Sequence, residues 1–169
     1  MPTAFTPWTN QDLVLYHGTT EGGARGIMTT GVLLAESTRR TDFGRGFYTC
    51  TSRPQAERWA RIKALAGAPA TRPAVVCFTV ERDALAHLQS LVFVRSVPDA
   101  EDYWQFIAHC RSGNPHHGRR QAEGHYDVVF GPVMKGTYLQ REAYLGYDQI
   151  SFHTARAIQI LSRSQILSL

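Results

Sequence analysis

Tyr16-His17-Gly18-Thr19 closes a short apolar run over residues 13–16, and the fold is read outward from it. The run predicts a strand ending on a histidine and a glycine. Residues 21–29 then read as a short helix, with Ala24, Ile27 and Met28 on one face and Gly31 as its C-cap. A polar loop over 35–46 carries Gly44-Arg45-Gly46 and runs into a short strand at 47–51. Residues 52–66 carry the clearest helix signal: Ser52 is a natural N-cap, Gln55 three residues later completes a capping box, and Pro54 falls in the tolerated first turn. Ala56, Trp59 and Ile62 share a face of that helix, and Gly67 ends it.

Beyond a small-residue linker at 67–73, residues 74–80 and 91–94 read as strands. Residues 99–111 read as a second helix, with Tyr103, Phe106, Ile107 and Cys110 inward. A loop follows at 112–124. A strand at 126–130 stops at Gly131-Pro132, and another is expected at 149–152. Thr154 caps a short helix beginning at Ala155, and 158–161 reads as a last strand. Strands outnumber helices and do not alternate with them, which predicts an α+β fold. Residues 1–12 read as an N-terminal arm and 13–169 as one domain.

Composition narrows the functional classes. Hydrophobic residues make up 43% and charged residues 19%, as in an ordinary globular domain, and no apolar stretch has the length of a membrane span. Residues 1–10 hold no basic residue and no apolar segment, unlike a standard secretory signal. Cys50, Cys77 and Cys110 form no CxxC pair, so a reducing compartment without disulfides is expected: the cytoplasm, or a target cell reached by another route. His109, Cys110, His116, His117 and His125 match no zinc spacing, so no metal is expected. The net charge of +4 comes from scattered arginines; Arg39-Arg40 and Arg119-Arg120 are the tight pairs. P-loop, GxSxG and HExxH motifs are missing.

His17-Gly18, Gly44-x-Gly46-Phe47-Tyr48, Trp59 and Gln149-Ile150-Ser151-Phe152 remain, in that order. Each alone fits a structural part: a strand-end histidine, a strand tyrosine, a helix-core tryptophan. Together they resemble the His-Tyr-Glu signature of ADP-ribosyltransferases of the diphtheria-toxin and poly(ADP-ribose) polymerase type, which cleave NAD. The resemblance covers residues 13–60 well and 126–153 loosely, and in size is nearest to small bacterial toxin- or effector-like members. It implies a split β-sandwich of two antiparallel sheets with flanking helices, and NAD as the substrate.

The resemblance also implies roles. His17 bonds the adenosine ribose. Gly18, with no Cβ in the way, offers its backbone to the nicotinamide amide, and Thr19 completes the cofactor-binding stretch. Tyr48 stacks on the nicotinamide, and Trp59, eleven positions later, closes on its other face. A serine usual in the polymerase type is Ala56 here. The glutamate that stabilises the cationic ribose is Gln149, which keeps a hydrogen bond but loses a charge, a difference of about 1–2 kcal/mol. Glu142 is a second candidate for that role, and strand alternation turns Asp148 to the other face. On this reading a glutamate at 149 raises turnover.

The expected activity is mono-ADP-ribosyl transfer from NAD to a protein or nucleic acid, with release of nicotinamide. No general acid is needed, because the pyridinium is already a good leaving group; catalysis comes from positioning and electrostatics. Arg39, Arg40 and Arg45 beside the site favour an anionic acceptor, and a cognate antitoxin or immunity protein is a further expected partner. An NAD glycohydrolase, and a weakly active module of the same fold that holds NAD, ADP-ribose or nucleic acid, are the alternatives. An RNA 2′-phosphotransferase shares the fold but wants a cluster of basic residues that cannot be placed.

Overall fold

A computed structural model describes residues 10–37, 40–68, 71–94, 101–118, 124–167 and 169. The expected arm lies mostly outside them, as do Arg39, Arg119-Arg120 and the start of the helix expected from Asp99. The fold is α+β with two sheets. In the first, β1 (Leu13–Thr20) pairs antiparallel with β3 (Pro73–Val80), and β3 with β7 (Ser164–Leu167), in the order β1-β3-β7. The second has the order β2-β6-β5-β4, from β2 (Phe47–Thr49), β6 (Glu142–Phe152), β5 (Val128–Lys135) and β4 (Ser90–Val92). β4 runs parallel to β5, so this sheet is mixed, which corrects the expectation of two antiparallel sheets. The chain between them, which includes the helix at Glu101–Arg111, is long enough for the crossover that parallel pairing requires.

The helices follow the capping chemistry. α1 (Glu21–Thr30) is capped by the Thr20 side chain and ends on Gly31 at φ 78°, a conformation that favours glycine. α2 (Arg53–Leu65) starts on Ser52, whose side chain accepts from the Gln55 N–H. The capping box is only half made, because Gln55 spends its side chain on the backbone N–H and C=O of Asp148 instead. α5 (Ala155–Gln159) is capped by Thr154. α3 (Arg82–Ala86), a single short turn, was not expected from the sequence, and α4 is Glu101–Arg111.

Strand boundaries depart from the sequence reading where partners decide. β5 runs through Gly131-Pro132 because the missing proline N–H falls beside a register irregularity between Pro132 and Met134. β6 begins at Glu142, well before 149, since it lies along the whole of β5. Residues 158–161 finish α5 and a turn, and the last strand is β7.

The inner faces of the two sheets pack on each other through Leu15, Val76, Phe78, Val128, Ile150 and Phe152. α2 covers the outer face of the first sheet, with Ala56 and Ala60 against Cys50 and Val75. Ala56 packs inward as expected, but Ile62, expected on the same face, is 44% exposed, while Gln55 is buried. α4 covers the second sheet from outside through Tyr103, Trp104 and Ile107, which meet Phe43, Phe93, Val129 and Met134. The result is a helix–sheet–sheet–helix sandwich. No helix among the described residues is long and apolar enough to cross a membrane.

Candidate functional site

Among the described residues one isolated backbone bridge joins the two sheets. Tyr16 and Cys50 exchange backbone hydrogen bonds of 2.8 and 2.9 Å, forming an isolated bridge between β1 and the end of β2. In an unbroken ladder Gly18 would next oppose Tyr48. Instead the strands part, and the His17 ring stands in the gap. Its Nδ1 is 2.6 Å from the Tyr48 carbonyl oxygen, and it stacks on Phe47 at 4.4 Å. A carbonyl only accepts, so Nδ1 carries the proton and Nε2 is left as an acceptor. Burial, then the nearby Lys63 ammonium, hold the imidazole down to about 3 against the pull of the Tyr48 carbonyl, so His17 is neutral.

Gly18 is buried where α2 crosses β1. A Cβ there would lie 2.0 Å from the Ala56 carbonyl oxygen, so only glycine admits the helix. Its own C=O points away from β3, as that of Tyr16 does, and accepts from Lys63 Nζ at 2.7 Å. Lys63, an exposed residue of α2, brings its amine to β1, where desolvation lowers its pKa. Trp59, one helical turn before Lys63, is half-buried on the same flank of α2. Thr19 is buried with its hydroxyl against Gly23 at the start of α1.

Tyr48 pairs with Ser151 across β2 and β6, and paired residues share a face. Tyr48, Gln149, Ser151 and Cys50 therefore lie on one side, while Phe47, Asp148 and Ile150 lie on the other. The Tyr48 hydroxyl donates to the Gly44 carbonyl at 2.7 Å, accepts from the Phe43 N–H at 3.0 Å, and meets Thr41 Oγ1 at 2.8 Å. Burial pushes the phenol well above its usual value. This ring is a fixed wall and the pin of the 41–44 turn, with no proton to give. The two loop glycines have separate causes. Gly44 sits at φ 76°, and a Cβ on Gly46 would lie 2.6 Å from the His153 ring.

Gln149 is 7% exposed and belongs to a polar cluster that the sequence reading did not contain. Its Nε2 donates to Asp42 Oδ2 and to the Pro132 carbonyl, both at 2.8 Å. Asp42 also pairs with Arg111 and accepts from the Met134 N–H. Asp148 faces away, on the Thr51 N–H and hydroxyl, as alternation requires. Glu142 pairs with Lys135 at the exposed start of β6.

His117, from the group that matches no zinc spacing, and His153, outside that group, both hold backbone. His117 accepts from the Tyr126 N–H and donates to the Phe43 carbonyl, each at 3.0 Å. His153 donates to the Arg45 carbonyl at 2.8 Å and meets Ser151 Oγ at 2.7 Å. Among the described residues no group of three or more His, Cys, Asp or Glu is placed to hold a metal. Burial pushes the Cys50 and Cys110 thiols up to about 12, so neither is a nucleophile near neutral pH. Arg45 is spent on the Leu34 and Ala35 carbonyls. A groove of about 600 Å³ at the far end of α2, lined by Arg61, Leu65, Thr71 and Pro73 among others, includes none of the expected site residues.

His17, Gly18 and Tyr48 thus lie at the break between β1 and β2, with α2 over Gly18 and the 41–44 turn on the Tyr48 hydroxyl, while Gln149 sits on the Tyr48 side of β6 against Asp42 and Pro132. The chain belongs to the family described as "Protein of unknown function (DUF3990)", whose model matches residues 13–145. The match takes in His17, Gly18, Tyr48 and Trp59 and ends short of Gln149. Among curated proteins, none matches the chain.

Proposed function

We propose that the chain binds NAD in the splay between β1 and β2 and transfers its ADP-ribose to a macromolecular acceptor, releasing nicotinamide, as mono-ADP-ribosyltransferases do. The observation that carries the reading is the parting of β1 and β2 after the Tyr16–Cys50 bridge, which leaves the Gly18 carbonyl to Lys63 and ties His17 to Tyr48, with Gln149 two residues before Ser151, the partner of Tyr48. A peptide edge that donates and accepts suits a carboxamide. A neutral histidine with a bare Nε2 suits a ribose hydroxyl, because it accepts without bringing charge. Trp59 is half-buried on α2, and in this reading its ring closes on the other side of the nicotinamide.

In this reading the chain does little covalent work. Tyr48 and Trp59 hold the pyridinium, Gly18 fixes its amide, His17 fixes the adenosine end, and Gln149 accepts from the nicotinamide ribose as positive charge develops. The uncharged Gln149 favours a second reading, in which the same pocket holds NAD or ADP-ribose and turns it over slowly. Incubation with NAD labelled on the adenylate, in a lysate later split into protein and nucleic-acid fractions, separates the two. Transfer gives label in one fraction; the second reading gives bound, exchangeable label only.

A further inference from the structure

Asp42 is the least expected residue beside the site. It is 5% exposed, in the turn that Tyr48 pins. Its Oδ1 accepts from Arg111 Nε at 2.9 Å, and its Oδ2 accepts from the Met134 N–H at 2.9 Å and from Gln149 Nε2 at 2.8 Å. The second hydrogen of that nitrogen goes to the Pro132 carbonyl at 2.8 Å. Both partners are pure acceptors, so the atom facing them is the NH₂, and the amide has one orientation. Oε1 is what remains. It has no partner among the described residues and is not sealed from solvent, although the side chain is more than nine-tenths buried.

We infer that Asp42 is a positioning residue that locks the Gln149 amide so that its carbonyl oxygen is an obligate acceptor for a ligand hydroxyl. This rests on the NAD reading, where the hydroxyl is the 2′-OH of the nicotinamide ribose. The carboxylate behind the NH₂ also polarises the amide and makes Oε1 a better acceptor, since hydrogen bonds in series reinforce one another. Position 149 is therefore matched to position 42. A glutamate at 149 would turn an oxygen toward the Asp42 carboxylate and the Pro132 carbonyl, two acceptors with no proton between them. Acid at 42 with amide at 149 replaces a lone acid at 149.

The test is a set of variants assayed for nicotinamide release from NAD, together with the side-chain amide signal of Gln149 in proton–nitrogen NMR. Asp42→Asn lets the Gln149 amide turn over. It lowers kcat at least tenfold and leaves KM for NAD within about twofold. Its losses do not multiply with those of Gln149→Ala in the double variant. The amide signal, shifted and exchange-protected in the wild type, loses both properties. Asp42→Asn/Gln149→Glu, which inverts acid and amide, turns over faster than Gln149→Glu alone. Wild-type turnover in Asp42→Asn, multiplicative losses, or an unshifted amide signal in the folded wild type overturns the inference. A wild-type protein that neither binds nor cleaves NAD overturns the functional reading instead, and the amide signal still reports whether Asp42 holds Gln149.

Discussion

His17 Nδ1 donates to the Tyr48 carbonyl across 2.6 Å, tying the edge strand of one sheet to the edge strand of the other where their ladder breaks. Two other histidines bond the same stretch: His117 holds the Phe43 carbonyl and His153 the Arg45 carbonyl. Three imidazoles from three parts of the chain thus fasten residues 43–48 by their backbone.

Stability should therefore fall as pH falls below about 6.5. Burial holds His17 and His117 down to about 3 and His153 to about 4. The unfolded chain takes protons at the ordinary value while the native one does not, so the contribution is complete above about 6.5 and is lost on acidification. Each histidine costs about 1.4 kcal/mol per pH unit in that window. Three together cost about 4 kcal/mol per unit, enough to unfold a typical domain near pH 5. Thermal denaturation followed by circular dichroism from pH 8 to pH 4.5 measures this; a flat melting temperature over that range would contradict it.

Gly18→Ala should destabilise by about 3 kcal/mol, because the new methyl would sit on the Ala56 carbonyl and lift α2 from β1. Gly26→Ala is the control, since nothing lies within 4 Å of a Cβ there and alanine is the better helix former. Urea titration of both proteins shows the difference, with Gly26→Ala at or above wild type.

Lys63→Met should raise the pKa of His17, since the ammonium beside it is one of the two causes that hold it down. The carbon shifts of the His17 ring, followed by NMR to about pH 3 in a stabilising osmolyte that keeps both proteins folded, report the change. A smaller rise is expected for Lys63→Arg, which keeps the charge. No movement in Lys63→Met would place the ammonium elsewhere in solution.

Gln149→Glu should lose stability, in contrast to the gain in turnover that the sequence alone suggests. The added carboxylate meets Asp42 Oδ2 and must take a proton or push the turn away. A lower melting temperature at pH 8 than at pH 6, relative to wild type, is the signature of that repulsion.

How far the sequence reached follows from what each signal depends on. Caps and glycine stops are local, and Ser52, Thr154 and Gly31 stand where local chemistry puts them. Strand ends depend on partners: β5 passes through Gly131-Pro132 because β6 lies along it, and the parallel β4 is decided by a crossover that no local pattern records. The stretch at His17-Gly18 was expected to end its strand, but β1 continues to Thr20 because β3 pairs with it along its whole length. Asp42 was not legible, since a loop aspartate reads as solvated until Arg111, Met134 and Gln149 from three other elements close on it. Lys63 was missed for a similar reason: its position on α2 reads as exposed, and only the fold brings its amine to Gly18.

Release of nicotinamide from NAD by the purified chain, compared with His17→Ala and Tyr48→Ala, tests the central claim most directly. The wild type should release nicotinamide in step with ADP-ribose appearing on an acceptor or in water, and each variant should fall at least tenfold. Release that is absent from the wild type, or equal in all three proteins, would contradict the assignment of an NAD site to the splay between β1 and β2.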